Sequence, residues 1–296
     1  MTSAGKTVLV TAGNGNQARS VIPRLAKAGF RVRAMRRVDR PPPGPKELGA
    51  EEVVVGDACS AEDAFRAMQG VHAVYHVGPS FHPKEREMGF NMIGQAARAG
   101  VRHFIFSSVL HPILTGLPQH EIKRDIEEKL VESGMNFTIL QPADYMQMVA
   151  WGVIPHQSMF LLGWNLDRRQ ALVDLDDVAD VLVKVITEGE THYGATYELC
   201  SGENLSAHDI ARSLSEAFAR PFKAMQFQHN YSQPMPFILG DYDREHSLHQ
   251  MSVFKVVNEW YDRHDFIGNS QVLRLLLGRS PSTFAAFARR RYNLSA

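Results

Sequence analysis

Residues 11–18, Thr11-Ala12-Gly13-Asn14-Gly15-Asn16-Gln17-Ala18, are of the types needed to hold a dinucleotide phosphate. Gly13-x-Gly15-x-x-Ala18 matches the fingerprint G-x-G-x-x-G/A. Its small residues allow a left-handed turn, close backbone approach and open N–H groups at a helix start. Thr11, Gly13, Gly15, Asn16, Gln17 and Ala18 are therefore candidate cofactor ligands. An NAD ribose would call for an acidic residue about twenty positions later. Arg36 and Arg37 stand there instead. A guanidinium suits a 2′-phosphate, so NADP(H) is favoured over NAD(H), unless these arginines merely face solvent. Asp57 could accept from an adenine amino group, or cap the helix that follows it. Gly78 would let a cofactor pass close to a strand end, or is an ordinary loop glycine.

Alternating strands and helices must place these residues. Thr7 to Thr11 is a continuous apolar run of the kind buried on both faces of a parallel sheet. Val21, Ile22, Leu25 and Ala28 then recur at helical spacing, with Gly29 as a natural C-cap. Strands are expected at 30–35, 52–55, 73–77, 104–107 and 137–140, and helices at 61–69, 85–99 and 123–133. Arg40-Pro41-Pro42-Pro43-Gly44-Pro45 breaks the pattern as a loop. The rhythm predicts an α/β fold, a Rossmann-type doubly wound parallel sheet with a smaller mixed α/β C-terminal substrate lobe. Residues 1–150 are expected to form the nucleotide-binding domain, with 172–200 returning to it, and 151–296 the lobe. Asp176 is expected to cap a helix ending near Glu188, and Ser206 with Asp209 to open another as a capping box. Residues 221–269 show no clean period.

Composition narrows the function classes. Over 296 residues, 32 Lys and Arg balance 32 Asp and Glu, so no net charge draws the chain to nucleic acid or an anionic membrane. Cys59 and Cys200 cannot build a disulfide framework or a CxxC metal site. The segment before Thr7 lacks the apolar run of a signal peptide, and no stretch approaches a membrane span. A cytoplasmic protein without a metal is expected.

Several segments together carry a resemblance. They are Asn14-Gly15-Asn16-Gln17-Ala18-Arg19, residues 97–109, Leu117 to Lys123 with Ile139 to Met146, and Leu172 to Ala179. Over about the first 220 residues the chain resembles the NmrA-like branch of the atypical short-chain dehydrogenase/reductases. The resemblance implies that Lys123 occupies the lysine place of a Tyr-x-x-x-Lys pair and holds the nicotinamide ribose. Two departures stand out. The three glycines of the family turn are here Ala12, Gly15 and Ala18, which narrows the room for a pyrophosphate, although Gly13 offsets part of this. The tyrosine place is Gln119, and an amide exchanges no proton near neutral pH. His120, adjacent, is then the candidate acid, or a surface partner of Lys123. Ser107, or Ser108, could hydrogen-bond a carbonyl substrate or cap a strand end.

His82, His111, Tyr145, Met146 and Trp151 are expected near the substrate, although loop and core roles predict the same residues. Trp164, Met235 and Phe237 belong to the same reading of the lobe. Three functions follow. The first is an NADPH-dependent reductase of a small, flat, conjugated carbonyl or quinone-type substrate. The second is an isomerase, dehydratase or cyclase using histidine as acid and base. The third is an NADP-sensing regulator that acts on a protein partner without turnover.

Overall fold

The structure, a computed structural model, describes residues 5–38, 44–232 and 244–294. In chain order the elements begin with β1 (Thr7–Val10), α1 (Asn16–Lys27), β2 (Arg31–Arg36), β3 (Glu52–Val55), α2 (Ala61–Met68), β4 (Ala73–Val77), α3 (Glu85–Arg98), β5 (His103–Ser107), α4 (Pro118–Glu132) and β6 (Phe137–Pro142). Then come β7 (Asp144–Tyr145), α5 (Met146–Val149), β8 (Val153–Ile154), β9 (Met159–Leu162), β10 (Gln170–Val173), α6 (Leu175–Glu188), β11 (Ala195–Leu199) and β12 (Asn204–Leu205). The last are α7 (Ala207–Phe218), β13 (Lys223–Gln226), α8 (Arg244–Tyr261), α9 (Gln271–Leu277) and α10 (Phe284–Arg291). The chain divides into two units, one running to Gln141 and regained over Val178–Tyr197, the other Pro142–Asp177 and the chain from Glu198 onward.

The first unit holds a seven-stranded sheet in the order β3-β2-β1-β4-β5-β6-β11. Its pairs run parallel, Val8 facing both Val32 and Ala73, and Ile105 facing both Tyr75 and Thr138. The sheet is covered on both faces at its centre, which is why β1 and β5 are buried along their length and β4 nearly so, whereas β2 alternates from Arg31 to Ala34. One core joins Leu9, Val74, Phe104, Phe106 and Ile139 to Ala64, Met68, Met92, Ile93, Ile126 and Leu130 of α2, α3 and α4. Strand order reverses between β1 and β4, the switch point beside whose carboxyl ends open α/β sheets bind ligands.

The second unit carries two three-stranded sheets, β12-β10-β7 and β13-β9-β8. Its core gathers Phe160, Leu172, Ile210, Leu214, Phe284 and Phe287. The capping box at α7 is formed: Ser206 Oγ accepts from Asp209 N–H at 3.2 Å and Asp209 Oδ2 from Ser206 N–H at 3.0 Å. At α6 the cap is Asp174, not Asp176. The fully buried Asp174 accepts the Asp176 N–H at 3.0 Å, and Asp176 lies in the first turn. α8 emerges where no period was legible, because polar residues share its buried face. Met235, Phe237 and Arg40 to Pro43 lie outside the described residues.

The glycine turn departs from its reading in two respects. α1 starts at Asn16, before the apolar spacing begins, since Gln17 and Ala18 already point inward. Ala12 takes φ +50°, the left-handed region that costs an L-residue roughly 1–2 kcal/mol. Replacing Ala12 by Gly removes that strain but enlarges the unfolded chain's entropy. We expect Ala12→Gly to stabilise the protein by about 1 kcal/mol in urea unfolding. A lower midpoint would contradict the strain.

Candidate functional site

Backbone bonds fold the turn against the end of β2. Gly13 N–H donates to Met35 O at 2.8 Å, Gly15 N–H to Ala12 O at 2.7 Å, and Asn14 Nδ2 to Val38 O at 3.4 Å. A Cβ on Gly13 would lie 3.2 Å from Ala34 Cβ and from Met35 O, so this glycine is needed for packing. The donors of Gly13 and Gly15 are thus already used. What remains for an anion is the start of the twelve-residue α1, which has no side-chain cap and exposes Asn16. Arg36 is half-buried and Arg37 exposed at the end of β2. Gly56 N–H donates to Arg36 O at 3.0 Å, bringing the end of β3 alongside. Ser60, not Asp57, caps α2 through Asp63 N–H, while the exposed Asp57 accepts from Cys59 N–H at 2.9 Å.

Thr11 closes the switch point. Its hydroxyl accepts from Val77 N–H at 2.8 Å and donates to Val77 O at 3.1 Å, tying the end of β1 to that of β4. Gln17 turns away from the turn and into the sheet. It is buried, accepts from the Tyr75 hydroxyl, and donates to Ser107 Oγ at 3.0 Å. The Ser107 hydroxyl, 1% exposed, is therefore part of an internal Gln17–Tyr75–Ser107 network.

Lys123 and His120 lie on the first two turns of α4, which begins at Pro118, and both are buried. The surface-pair reading of these two residues therefore fails. Lys123 Nζ is 2.8 Å from Oε1 of the fully buried Glu85, 3.3 Å from Ser107 O and 5.1 Å from the Phe106 ring centroid. Burial pushes the Glu85 carboxyl up, and Lys123 opposes this. Gly78 leaves room for the pair, since a Cβ there would stand 2.8 Å from Glu85 Oε1 and 3.3 Å from Lys123 Nζ. His120 Nδ1 donates to His111 O at 2.9 Å, and burial holds its imidazolium down to about 4. His82 is buried in the turn before α3, where its Nδ1 accepts from Lys84 N–H at 3.0 Å. His76 stacks on Phe106 and is pushed down to about 3 by burial.

Sequence reasoning missed Glu85, His76 and Tyr75. Glu85 carried a signal, for it heads the buried stripe Met88, Gly89, Met92, Ile93 and Ala96 of α3. His76 and Tyr75 carried none, because both faces of β4 are buried.

Residues 4–275 match the NmrA-like family. The chain belongs to that family. A photosystem II assembly factor of Synechocystis sp. is 26% identical over 259 residues, 78% of each chain. A (4-alkanoyl-5-oxo-2,5-dihydrofuran-3-yl)methyl phosphate reductase of Streptomyces griseus subsp. griseus is 30% identical over 227 residues, 73% of this chain and 75% of its own. The crystal structure of an NADPH-dependent quinone oxidoreductase from Escherichia coli complexed with NADPH aligns with TM-score 0.73 at 21% identity, covering 97% of this chain and 100% of that one. That likeness shows the fold.

Within this NmrA-like chain, Tyr145, Met146 and Trp151 belong to the second unit. Met146 is fully buried in its apolar core, Tyr145 is half-buried and Trp151 is 42% exposed. His72 and His76 stand four apart, but His76 lies on β4 and not on a helix face. Among the described residues no group of three or more His, Cys, Asp or Glu could hold a metal ion. No helix among them is long and apolar enough to cross a membrane.

Suppressed imidazoles set a pH dependence, His76 and His120 beside Lys123 and also His103 at the start of β5, pushed down to about 3 by burial. His76 and His120 fall from an ordinary value of 6.5 to about 3 and about 4, so the unfolded chain binds protons that the folded chain refuses. Their contribution is complete above about pH 6.5 and is lost as pH falls towards these folded values. Each adds about 1.4 kcal/mol per pH unit within that window. Urea midpoints measured from pH 7 to pH 4.5 should fall steadily; a flat profile would contradict the neutral, buried assignment.

Proposed function

We propose that this NmrA-like chain is an NAD(P)H-dependent reductase of a small conjugated carbonyl or quinone-type substrate, with NADP(H) preferred. One observation carries the reading: the buried Lys123 ammonium, held beside Gly78 where β1 and β4 are tied together. A lysine so placed is the donor that a nicotinamide ribose requires. The residues fit a dinucleotide at three further points. The uncapped start of α1 accepts an anion. Gly13 and Gly15 keep the backbone close, and Arg36 with Arg37 supplies guanidinium donors for a 2′-phosphate. Names among the relatives agree, one a reductase of a substituted oxo-dihydrofuran and one structural neighbour an NADPH-dependent quinone oxidoreductase.

When bound, the nicotinamide supplies the hydride, the hard step that the protein itself cannot perform. The chain's own work is to position and to exclude water. Lys123 binds and orients. Thr11, Gln17, Tyr75 and Ser107 keep the strand ends rigid. The residue at the tyrosine place and its neighbour are no acid donors at neutral pH: Gln119 is an amide, and His120 has already lost its second proton. The proton that completes reduction then comes from water. That same deficit favours a second reading, a nucleotide-sensing protein without turnover, and a relative named as an assembly factor agrees with it.

Absorbance at 340 nm separates the two. The reductase reading expects NADPH oxidation with at least one member of a panel of quinones and enones. Tight NADPH binding without oxidation of any panel member would replace it with the sensing reading. For the preference, Arg36→Ala should weaken NADPH binding about tenfold while leaving NADH within about twofold, the loss of one charge-assisted contact. Equal loss for both nucleotides would remove the 2′-phosphate assignment. Against the non-redox reading stands its foremost acid, His120, which is buried with its imidazolium held down to about 4 and so donates no proton at neutral pH.

A further inference from the structure

An acidic residue in the first turn of a helix ordinarily meets water and favours the helix dipole from outside. Glu85 does not. It opens α3 fully buried, on the stripe continued by Met88, Met92 and Ala96. Burying an ionised carboxylate is costly even when it is paired, and well-packed apolar side chains would serve a core as well or better. Stability alone therefore does not account for the Glu85–Lys123 pair, with side chains 0% and 7% exposed.

The pair is also fixed in place. Its ammonium contacts Glu85 Oε1 from α3, Ser107 O from β5 and the Phe106 face, and the chain is glycine at position 78, where a Cβ would press on Glu85 Oε1 at 2.8 Å and stand 3.3 Å from Lys123 Nζ. Of the ammonium's three N–H donors the Ser107 carbonyl takes one, while Glu85 Oε1 lies in ion-pair contact at 2.8 Å. Other titratable groups that face Lys123 are His76 of β4, and His120 and Glu127 of α4. The two imidazoles are neutral at pH 7, and Glu127 holds Gln141 Nε2 at 2.9 Å. Glu85 is thus the carboxylate in ion-pair contact with the ammonium.

We propose that Glu85 is a positioning residue for the nicotinamide end of the cofactor, acting through Lys123. It holds the ammonium in one arrangement, so that a remaining donor meets a ribose hydroxyl without first losing rotamer freedom. The inference rests on the nucleotide reading above and adds the residue that makes Lys123 competent.

The test uses the full chain and two probes in fluorescence titrations. NADPH carries the nicotinamide ribose; adenosine 2′,5′-bisphosphate carries only the other end. Glu85→Gln should weaken NADPH binding about tenfold and leave the bisphosphate within about twofold. Glu85→Asp should recover part of the loss. Combined with Lys123→Met, Glu85→Gln should add nothing to the effect of Lys123→Met alone, and that double variant, free of both charges, keeps the comparison available if Glu85→Gln alone fails to fold. Unchanged NADPH binding in Glu85→Gln, or equal weakening for both probes, overturns the positioning role while leaving the nucleotide reading intact. A wild-type chain that binds neither probe overturns the nucleotide reading itself, and the positioning role with it.

Discussion

A lysine ammonium and a glutamate carboxylate lie out of water at the ends of β4 and β5, and much of the first unit follows from keeping them together. Charges taken from water must find each other, because breaking such a pair leaves an uncompensated buried ion that costs about 3–5 kcal/mol. α3 must begin at Glu85, which the turn through His82 arranges, Glu85 N–H donating to His82 O at 3.0 Å. α4 must begin early enough to bring Lys123 inward. Glycine at position 78 leaves the pair its room. The positive charge also acts on its neighbours, adding to the burial that keeps His76 and His120 neutral.

A second set of contacts makes the platform stiff. Thr11 joins β1 to β4, and the Gln17–Tyr75–Ser107 network joins α1 to β4 and β5. Thr11 and Gln17 belong to the glycine turn, yet their side chains are used internally. The turn itself keeps Gly13 and Gly15 where space demands them and accepts strain at Ala12. In the proposed reading, affinity for a dinucleotide therefore falls to the start of α1, to Arg36 and Arg37, and to Lys123. Sites of this kind gain more from rigid placement than from the number of contacts.

The sheet was legible because its physics is local: apolar runs of strand length, punctuated by glycine, imply burial on both faces. Strands β3 and β4 and the capping box of α7 fall where the pattern puts them. Helix starts were less legible. α1 and α4 both begin before their apolar spacing does, because Gln17, His120 and Lys123 are polar residues turned inward, which an apolar period does not register. Asp174 was passed over as a cap for Asp176 by the same ambiguity among neighbouring aspartates. Lys123 could be picked out from the family resemblance. Glu85 stood on the apolar stripe of α3 but had no legible role, since a first-turn glutamate suits any helix dipole and only its long-range partner gives it one. α8 was hidden because its buried face includes the polar Ser247, Gln250 and Asn258 while Leu248 and Val256 lie exposed.

The most direct measurement is a crystal structure of the chain grown with NADPH. The expected result is a pyrophosphate at the start of α1 and Lys123 within hydrogen-bonding distance of the nicotinamide ribose while still against Glu85. A nucleotide bound elsewhere, or a Lys123 that has left Glu85 with the ribose unheld, would contradict it.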